Sequence, residues 1–321
     1  MSAKIINHIN QLKSDNLCIV YHANCADGSG SAYAAWKKFG DKAAYIPHDY
    51  NQKEDSVDQL IRKLEGKDVI FCDVTLKKFQ FLKVQEIANS VIVLDHHPSA
   101  YDEIGNLDCC LFDMKRSGAM ITWETLHPQI EPPKFIEYIQ DGDLWEFNYK
   151  ETKWFYSALG EMILSFRDMD KLTNPLFLND FLTEGKKLRE AYELKVQDII
   201  VKAEPVRFMG YDIFMVECER DYASEVGNFL AKKSGSFSIC YSDRKDVYKA
   251  SLRGIDVVNL SHLCTLFNGG GHPNASAFTA KNKEDFFQIL QDNAETPIPT
   301  KDDVERIIQK RFEDNLKKPK I

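Results

Sequence analysis

The sequence predicts an α/β protein, in which a parallel sheet with helices on both faces is followed by a smaller α/β domain. Two observations indicate this fold. From residue 17 to residue 94, short apolar runs alternate with amphipathic runs of about ten residues, a pattern typical of βαβ units. A second series of such runs begins at residue 212, after a long charged stretch. The length of 321 residues agrees with two domains, since domains usually contain roughly 100–200 residues.

The first series contains four predicted strands, each a short apolar run. They cover residues 17–21, 43–47, 69–72 and 91–94. The predicted helices of this half cover residues 29–39, 54–64, 77–88, 117–126 and 133–139. The runs VIFC and VIVL carry no polar residue, which is expected of strands that are buried on both faces.

The second half is separated from the first by a helix-prone stretch. Residues 179–202 are charged and contain no proline, and the only glycine among them is Gly185, so this stretch predicts a helical connector. Beyond it we predict strands at 212–217, 236–241, 248–253 and 277–280, and helices at 223–233, 257–267 and 302–318. The predicted organisation is a first domain at 1–178, a connector at 179–204, a second domain at 205–300 and a C-terminal helix at 301–321.

The composition excludes several classes of protein. Lys plus Arg is 41 and Asp plus Glu is 49, so the formal charge of −8 disfavours a protein that holds nucleic acid by bulk charge. No apolar run approaches the roughly 18–20 residues that span a bilayer, and the N-terminus lacks the features of a signal peptide. The eight cysteines are scattered and form no CxxC pair, which favours reduced core thiols in a cytoplasmic protein over disulfides or structural zinc.

Metal-binding residue types follow three of the predicted strands. They are His22, Asp27, Asp73, Asp95, His96 and His97. In an open parallel sheet, ligands bind beyond the carboxyl ends of the strands, so these side chains are expected at one edge of the sheet. Two more carboxylates, Asp141 and Asp143, lie just after the last predicted helix of this half.

Imidazoles and carboxylates together suit Mn²⁺, Zn²⁺ or Fe²⁺, and the excess of carboxylates favours Mn²⁺. Several carboxylates facing one another repel unless cations lie among them. Two divalent ions about 3.5–4 Å apart, bridged by one aspartate, would relieve that repulsion. The alternative is structural, because a single Asp or His after a strand is usually a turn or helix-cap residue; Asp95 would then cap a helix and His97 would belong to a turn.

A second group of candidate residues lies in the second half. The segment FNGGGHPNAS contains Gly269, Gly270, Gly271 and His272, and successive glycine amides can form an anion-binding nest. Arg253 ends a predicted strand and offers a planar fork for a phosphate. The alternative is a flexible glycine turn beside a surface arginine.

With these motifs in view, the sequence resembles the DHH family of phosphoesterases, in the subgroup that has a DHH and a DHHA1 domain. The motifs that carry the resemblance are HANCADGSGSA, FCD, LDHH and IQDGDLW in the first domain, and SLRG and GGGHPNASAF in the second. They extend in order from residue 17 to residue 280. The resemblance implies a Mn²⁺-dependent hydrolase of phosphoester or phosphoanhydride bonds, with two ions; Mg²⁺, Zn²⁺ and Fe²⁺ remain open.

The resemblance also assigns roles to the candidate residues. It implies that Asp73 bridges the ions and is a catalytic residue together with Asp95, which orients a neighbour, and His97, which lies near the leaving group. The implied metal ligands are His22, Asp27, Asp73, His96 and one of Asp141 and Asp143, with Asp141 preferred. The implied substrate-binding residues are Arg253, Gly269, Gly270, Gly271 and His272.

One feature departs from the family pattern. The first motif of the family often carries two aspartates after its histidine, whereas this chain has only Asp27. Asn24, Cys25 or a water would then take the place of the other carboxylate. A thiolate at Cys25 would shift the preference toward a softer ion such as Zn²⁺ or Fe²⁺.

The expected substrate is a short oligoribonucleotide or a dinucleotide. A channel for long single strands would need a positive track with stacking platforms, so no long nucleic acid and no membrane is expected as a partner. Tyr222, Phe278, Lys115 and Arg116 are candidates for base or phosphate contacts. A cyclic-dinucleotide or nucleoside-bisphosphate phosphodiesterase is the second hypothesis, and a non-catalytic nucleotide sensor is the hypothesis from another class. A homodimer is the favoured oligomeric state.

Overall fold

The computed structural model describes residues 3–50, 53–160, 164–244 and 247–316. The chain divides into two compact units, Met1–Glu190 and Ala191–Ile321. Every helix of the described residues is too short or too polar to cross a membrane. All eight cysteines are free.

The first unit contains a five-stranded parallel sheet with the order β2-β1-β3-β4-β5. Its strands are β1 (Leu17–His22), β2 (Ala44–His48), β3 (Asp68–Cys72), β4 (Ser90–Asp95) and β5 (Cys110–Phe112). Its helices are α1 (Ala3–Ile9), α2 (Ala26–Phe39), α3 (Glu54–Lys63), α4 (Lys78–Ile87), α5 (Pro98–Ile104), α6 (Gly118–Leu126), α7 (Lys134–Asp143), α8 (Lys150–Leu159) and α9 (Phe166–Lys171). Two short 3₁₀ turns cover Ser14–Asn16 and Gly40–Lys42.

Helices cover both faces of this sheet because successive strand residues point to opposite sides. Val20, Phe71 and Val93 face α3 and α4 in one apolar core. Ile19, Ile70 and Ile92 face α1, α2 and α6 in another. A third core joins α2, α6, α7 and α8 around residues such as Tyr33, Phe135 and Phe155. The central strands are thereby fixed, and so are the loops that leave their carboxyl ends.

The second unit contains a six-stranded mixed sheet with the order β10-β11-β9-β8-β7-β6. Its strands are β6 (Glu204–Phe208), β7 (Tyr211–Glu217), β8 (Phe237–Arg244), β9 (Val247–Gly254), β10 (Gly270–His272) and β11 (Ala275–Ala280). β7 and β8 pair in parallel, and the other pairs of this sheet are antiparallel. The helices are α11 (Ala223–Ser234), α12 (Leu260–Thr265), α13 (Lys283–Asp292) and α14 (Lys301–Leu316).

The predicted α/β fold class is confirmed. The long helix α10 (Pro175–Ile200) occupies most of the stretch predicted as a connector, and the boundary between the two units falls within it. Three short strands were missed, namely β5, β6 and β10. β10 consists of two glycines and a histidine, and β6 contains Pro205 at an edge of the sheet, so neither has the composition of a typical strand. The end of the predicted helix at 302–318 lies outside the described residues.

Candidate metal centre

The predicted ligands meet at the carboxyl end of the parallel sheet. His22 ends β1, Asp73 follows β3 directly, and His96 follows Asp95 at the end of β4. Asp73 turns the chain with a left-handed backbone (φ 60°), while its amide donates to the Leu94 carbonyl at 2.9 Å. The strand register therefore determines where these side chains lie.

Asp73 belongs to two sets of potential ligands. One set is His22, Asp73 and His97, and the other is Asp27, Asp73 and His96; within each set the ligand atoms lie within 4.8 Å of one another. A carboxylate has two oxygens and can face two cations at once. The shared position of Asp73 therefore fits a bridging role between two ions.

The distances around His96 are short. Its Nε2 atom lies 3.3 Å from Asp73 Oδ1, 3.6 Å from Asp27 Oδ2 and 3.5 Å from Asp143 Oδ2. On the other side, His22 Nδ1 lies 3.4 Å from Asp73 Oδ2, but without the geometry of a hydrogen bond. Three carboxylates and two imidazoles thus share a small volume.

Buried polar atoms without partners indicate what the cluster can hold. Both carboxylate oxygens of Asp73 and the Nδ1 atom of His22 are buried and have no hydrogen-bond partner within the protein. Such orphaned groups are rare in folded proteins and require an explanation. Divalent cations would satisfy all three atoms, and oxygen and imidazole donors suit Mn²⁺. The residues present therefore fit a pair of divalent ions.

The electrostatics of the cluster also favour added positive charge. Burial raises the pKa of Asp27 well above its usual range, and repulsion from Asp73 and Asp143 raises it further. The Asp73 carboxylate raises the pKa of His22 to about 10. Burial alone would lower the pKa of His96, but Asp73, Asp27 and Asp143 raise it to about 9. Protons on the histidines can balance part of the carboxylate charge, and divalent cations would balance more of it.

Asp27 is anchored by the start of helix α6. Its two oxygens accept hydrogen bonds from the amides of Gly118 (2.6 Å) and Ala119 (2.8 Å), where the positive end of a helix favours a carboxylate. Gly118 is required here, because an added Cβ would lie 2.5 Å from the Cβ of Asp73. Gly118 was not among the predicted site residues, although Ser117 before it is a typical helix-capping residue.

Asp95 holds His97 in place. Its Oδ1 atom accepts from the backbone amides of His96 (2.7 Å) and His97 (3.2 Å) and lies 2.7 Å from His97 Nδ1. Because Nδ1 is engaged by Asp95, the Nε2 atom of His97 is the one left to face a substrate or an ion. Asp95 is fully buried, so its part in the site passes through His97.

The structure places Asp143 in the cluster and not Asp141, which corrects the preference for Asp141. Helix α7 runs through to Asp143, and residues two apart on a helix point in nearly opposite directions. The carboxylate of Asp141 is buried and accepts from the amides of Asn148 (2.7 Å) and Tyr149 (3.2 Å) and from the Thr152 hydroxyl. Asp141 therefore holds the loop that follows α7.

Two tyrosines near the cluster were not predicted. The ring of Tyr50 lies 5.2 Å from that of His22 and 5.6 Å from that of His97, measured between centroids. Burial, with the charges of Asp95 and Asp73, raises the pKa of Tyr50, so its phenol stays protonated. Tyr156 packs against Gly142 and donates to the Ile139 carbonyl at 3.0 Å. The position of Tyr50, two residues after β2, was the available signal.

Two other candidates of the first unit, Cys25 and Arg116, belong to neither ligand set found in the described residues. Cys25 lies beside His22 and helps to raise its pKa. Arg116 pairs with Glu124 and with Asp113, so its charge is engaged by two carboxylates.

The candidates of the second unit form a row across three strands. Arg253 on β9 is opposite Ala275 on β11, which is in turn opposite His272 on β10. Directly opposed residues share a face, so Arg253 and His272 lie on the same side of the sheet, about 10 Å apart. His272 is exposed, and Gly271 has a φ of 144°, which a side chain would strain.

Arg253 is held by its own unit. Its guanidinium donates to the Ser224 hydroxyl (3.0 Å) and to the Leu252 carbonyl (2.9 Å), and its stem packs against Gly227. The ring of Tyr222 lies 4.9 Å from that of Tyr192, measured between centroids, and the two rings are tilted by 34°. Phe278 is a residue of the apolar core and is only 2% exposed, so it cannot contact a base, which corrects that expectation.

A viral protein is related to this chain in sequence. No known family model matches the chain. The uncharacterized protein R106 of Acanthamoeba polyphaga mimivirus is 31% identical over 278 residues, which cover 80% of this chain and 66% of that protein. The chain thus spans just under two thirds of the length of this relative.

Three solved structures share the fold across most of the chain. The pGpG-specific phosphodiesterase PggH of Vibrio cholerae has a TM-score of 0.53 at 13% identity, covering 91% of this chain and 99% of that one. An exonuclease RecJ bound to manganese has a TM-score of 0.52 at 13% identity, covering 94% and 95%. RecJ of Thermus thermophilus in complex with Mn²⁺ has a TM-score of 0.51 at 11% identity, covering 95% of this chain and 54% of its own.

Proposed function

We propose that this chain, which has the two-domain fold of the DHH superfamily, is a divalent-metal-dependent phosphodiesterase that hydrolyses short oligoribonucleotides. The observation that carries the proposal is the Asp73 carboxylate, which is shared by two ligand sets while both of its buried oxygens lack partners. A site of this kind suits divalent cations. Divalent cations that contact a phosphodiester stabilise the charge that develops on its oxygens during hydrolysis.

The proposed ligands are His22, Asp27, Asp73, His96 and Asp143, and Mn²⁺ is the proposed ion. Two bound ions would lower the pKa of a water and neutralise charge on the phosphoryl oxygens. The protein itself keeps the carboxylates fixed: α6 amides hold Asp27, and the end of α7 presents Asp143 to His96.

His97 is proposed to contact the leaving oxygen. Asp95 fixes the ring by its contact with Nδ1 at 2.7 Å, which leaves Nε2 to donate to that oxygen when the ring is protonated. Tyr50 lies beside both His97 and His22 and keeps its proton, so it can donate to a phosphoryl oxygen.

The second unit is proposed to bind a further phosphate of the substrate. Arg253 and His272 share one face of the sheet. Gly270 and Gly271 of β10 have no side chains that would cover the backbone beside His272. Burial lowers the pKa of Arg253, yet a guanidinium stays charged at neutral pH.

The chain's charge and its structural neighbours support a short substrate. The formal charge of −8 gives little attraction for long nucleic acid. A dinucleotide phosphodiesterase, PggH, has the same fold over 99% of its length, which favours a linear or cyclic dinucleotide as the second candidate substrate.

The test is a substrate panel with Mn²⁺. The protein is incubated with pApA, a five-nucleotide RNA, cyclic di-AMP and pyrophosphate, and the products are separated by chromatography. We expect AMP from pApA and from the short RNA, and loss of this activity in Asp73→Asn. The matched control is Asp68→Asn, which changes a carboxylate at the other end of the same strand. Turnover of pyrophosphate alone, or of none of the four compounds, would overturn the proposal.

A further inference from the structure

A pair of aromatic rings, one exposed and one half-buried, follows the last proposed metal ligand. Trp145 is 61% exposed, and its ring centroid lies 5.0 Å from that of Phe147, with the rings at 71° to each other. Both residues have left-handed backbones, with φ values of 60° and 51°. Bulky side chains rarely adopt this conformation, so the loop holds both rings at a conformational cost.

The buried residue Asp141 maintains this loop. Its backbone carbonyl accepts from the amides of Glu146 (3.0 Å) and Phe147 (3.2 Å), and its carboxylate accepts from the amides of Asn148 and Tyr149. Five residues in a row, 145–149, are thus tied to the end of α7, since Trp145 donates to the Gly142 carbonyl at 3.1 Å. The indole is exposed but its backbone is fixed, which is the arrangement of a preorganised binding surface.

The pair is close to the proposed metal centre. Trp145 follows Asp143 by two residues, so their Cα atoms are at most about 7 Å apart. Asp143 Oδ2 itself lies 3.5 Å from His96 Nε2. In a nucleotide, a single ribose separates the base from its phosphate, which matches this short separation between a phosphate site and an aromatic surface.

A positive charge accompanies the pair. The Nζ atom of Lys153 lies over the ring of Phe147, 5.4 Å from its centroid. The exposed indole of Trp145, with this cation over the neighbouring ring, suits a ligand that carries both a π-system and negative charge. Nucleotides have both features, whereas pyrophosphate and polyphosphate lack the π-system.

We propose that Trp145 and Phe147 form a stacking surface for the nucleobase whose phosphate lies at the metal centre. This inference rests on the proposed function and deepens it, because it specifies a nucleotide as the substrate and assigns recognition of the base to the loop after α7. Stacking on an aromatic side chain tolerates every base, so the surface would select nucleotides over inorganic phosphates without selecting a base.

The test compares two ligands that differ only in the base. AMP and ribose 5-phosphate are titrated into the protein with Mg²⁺, and the affinities are measured by calorimetry and by tryptophan fluorescence. We expect AMP to bind roughly 5- to 150-fold more tightly than ribose 5-phosphate and to quench the fluorescence. Trp145→Ala should remove both the preference and the quench. Trp145→Phe should keep most of the preference and lose the quench.

The matched control is Phe79→Ala on α4, where an exposed aromatic ring also lies near a lysine. It should retain the preference for AMP. Equal affinities of the wild-type protein for the two ligands, or an unchanged preference in Trp145→Ala with unchanged thermal stability, would overturn the stacking proposal. These results are independent of hydrolysis. Base-dependent binding without turnover of any of the four compounds of the substrate panel would sustain the stacking surface and refute the phosphodiesterase. Turnover of pApA without base-dependent binding would do the opposite.

Discussion

The candidate sites of the two units differ in whether their charged side chains have hydrogen-bond partners within the protein. In the first unit, Asp27 and Asp73 are 1% exposed, and both Asp73 oxygens lack partners. In the second unit, Arg253 is partly buried but its guanidinium already donates to Ser224 and to the Leu252 carbonyl. The hydrogen bonding of the first region is incomplete, whereas the Arg253 guanidinium of the second already has acceptors. The difference indicates that the buried Asp73 carboxylate is suited to cations, whereas Arg253 is held in place without a bound anion.

Substitution of Asp73 is expected to have the largest effect on metal binding and on activity. Since Asp73 serves both ligand sets, Asp73→Asn should release both ions and lower kcat/KM by about 10³-fold or more. His22 serves one set, so His22→Gln should reduce the Mn²⁺ content by about half. Metal content is measured by mass spectrometry after dialysis, with Asp68→Asn as the control. Equal metal loss in Asp73→Asn and His22→Gln would refute the shared role of Asp73.

A smaller effect is expected at Asp95, which acts on the site only through its neighbours. Asp95→Asn keeps the shape but weakens the orientation of His97, and the loss of such an outer partner typically costs about 10- to 100-fold in activity or metal affinity. The reduction should appear in kcat with little change in thermal stability, because the His97 ring is no longer held by the carboxylate of Asp95. A fall in thermal stability that accounts for the whole loss of activity would show that Asp95 merely supports the fold.

A smaller effect again is expected in the second unit. Arg253→Gln removes the proposed phosphate contact but keeps most of the side-chain stem, so KM should rise by about tenfold while kcat changes little. The control is Arg207→Gln, which removes an exposed arginine on β6 that pairs with Glu295. A fall in kcat with unchanged KM would place Arg253 outside substrate binding.

The smallest effect is a pH dependence of metal binding. The pKa of His22 is raised to about 10 and that of His96 to about 9. Both rings are thus protonated near neutral pH without metal, and binding must displace those protons. Affinity for Mn²⁺ should therefore rise as the pH increases from about 6.5 to 8.5. Calorimetry in buffers of different ionisation enthalpy should detect one to two protons released per chain. Binding of Mn²⁺ without proton release would contradict the raised pKa values of His22 and His96.

The same two histidines predict how the metal-free protein responds to pH. Their folded-state pKa values lie above the unfolded value of about 6.5, so their stabilising contribution is complete below that pH. It is lost as the pH rises through about 9 and 10. Thermal unfolding of the metal-free protein should therefore shift to lower temperature with rising pH, and Mn²⁺ should reverse the shift. A metal-free melting temperature that rises over the same range would contradict it.

Much of the first unit could be predicted from sequence because its strands are buried on both faces. Continuous apolar runs such as VIFC define β3, and the residue that follows such a strand has to lie at the carboxyl edge of the sheet. His22, Asp73 and His96 were found in this way. Their meeting in one cluster follows from parallel pairing of β1, β3 and β4.

The rest of the site depends on features that the hydrophobic periodicity of the sequence does not encode. Choosing between Asp141 and Asp143 required the length of α7, because the predicted helix ended at residue 139 and the real one continues to Asp143. Tyr50 reaches the cluster from a loop, and loop conformations follow from tertiary contacts. The left-handed backbones of Trp145 and Phe147 accompany hydrogen bonds from their amides to the Gly142 and Asp141 carbonyls, which residue propensities do not encode.

The central claim is that Asp73 lies between two divalent ions. Its most direct test is anomalous diffraction from crystals soaked in Mn²⁺. We predict two peaks about 3.5–4 Å apart, one on each side of the Asp73 carboxylate, with His22 beside one and His96 beside the other. A single peak, or peaks that do not contact Asp73, would contradict the account.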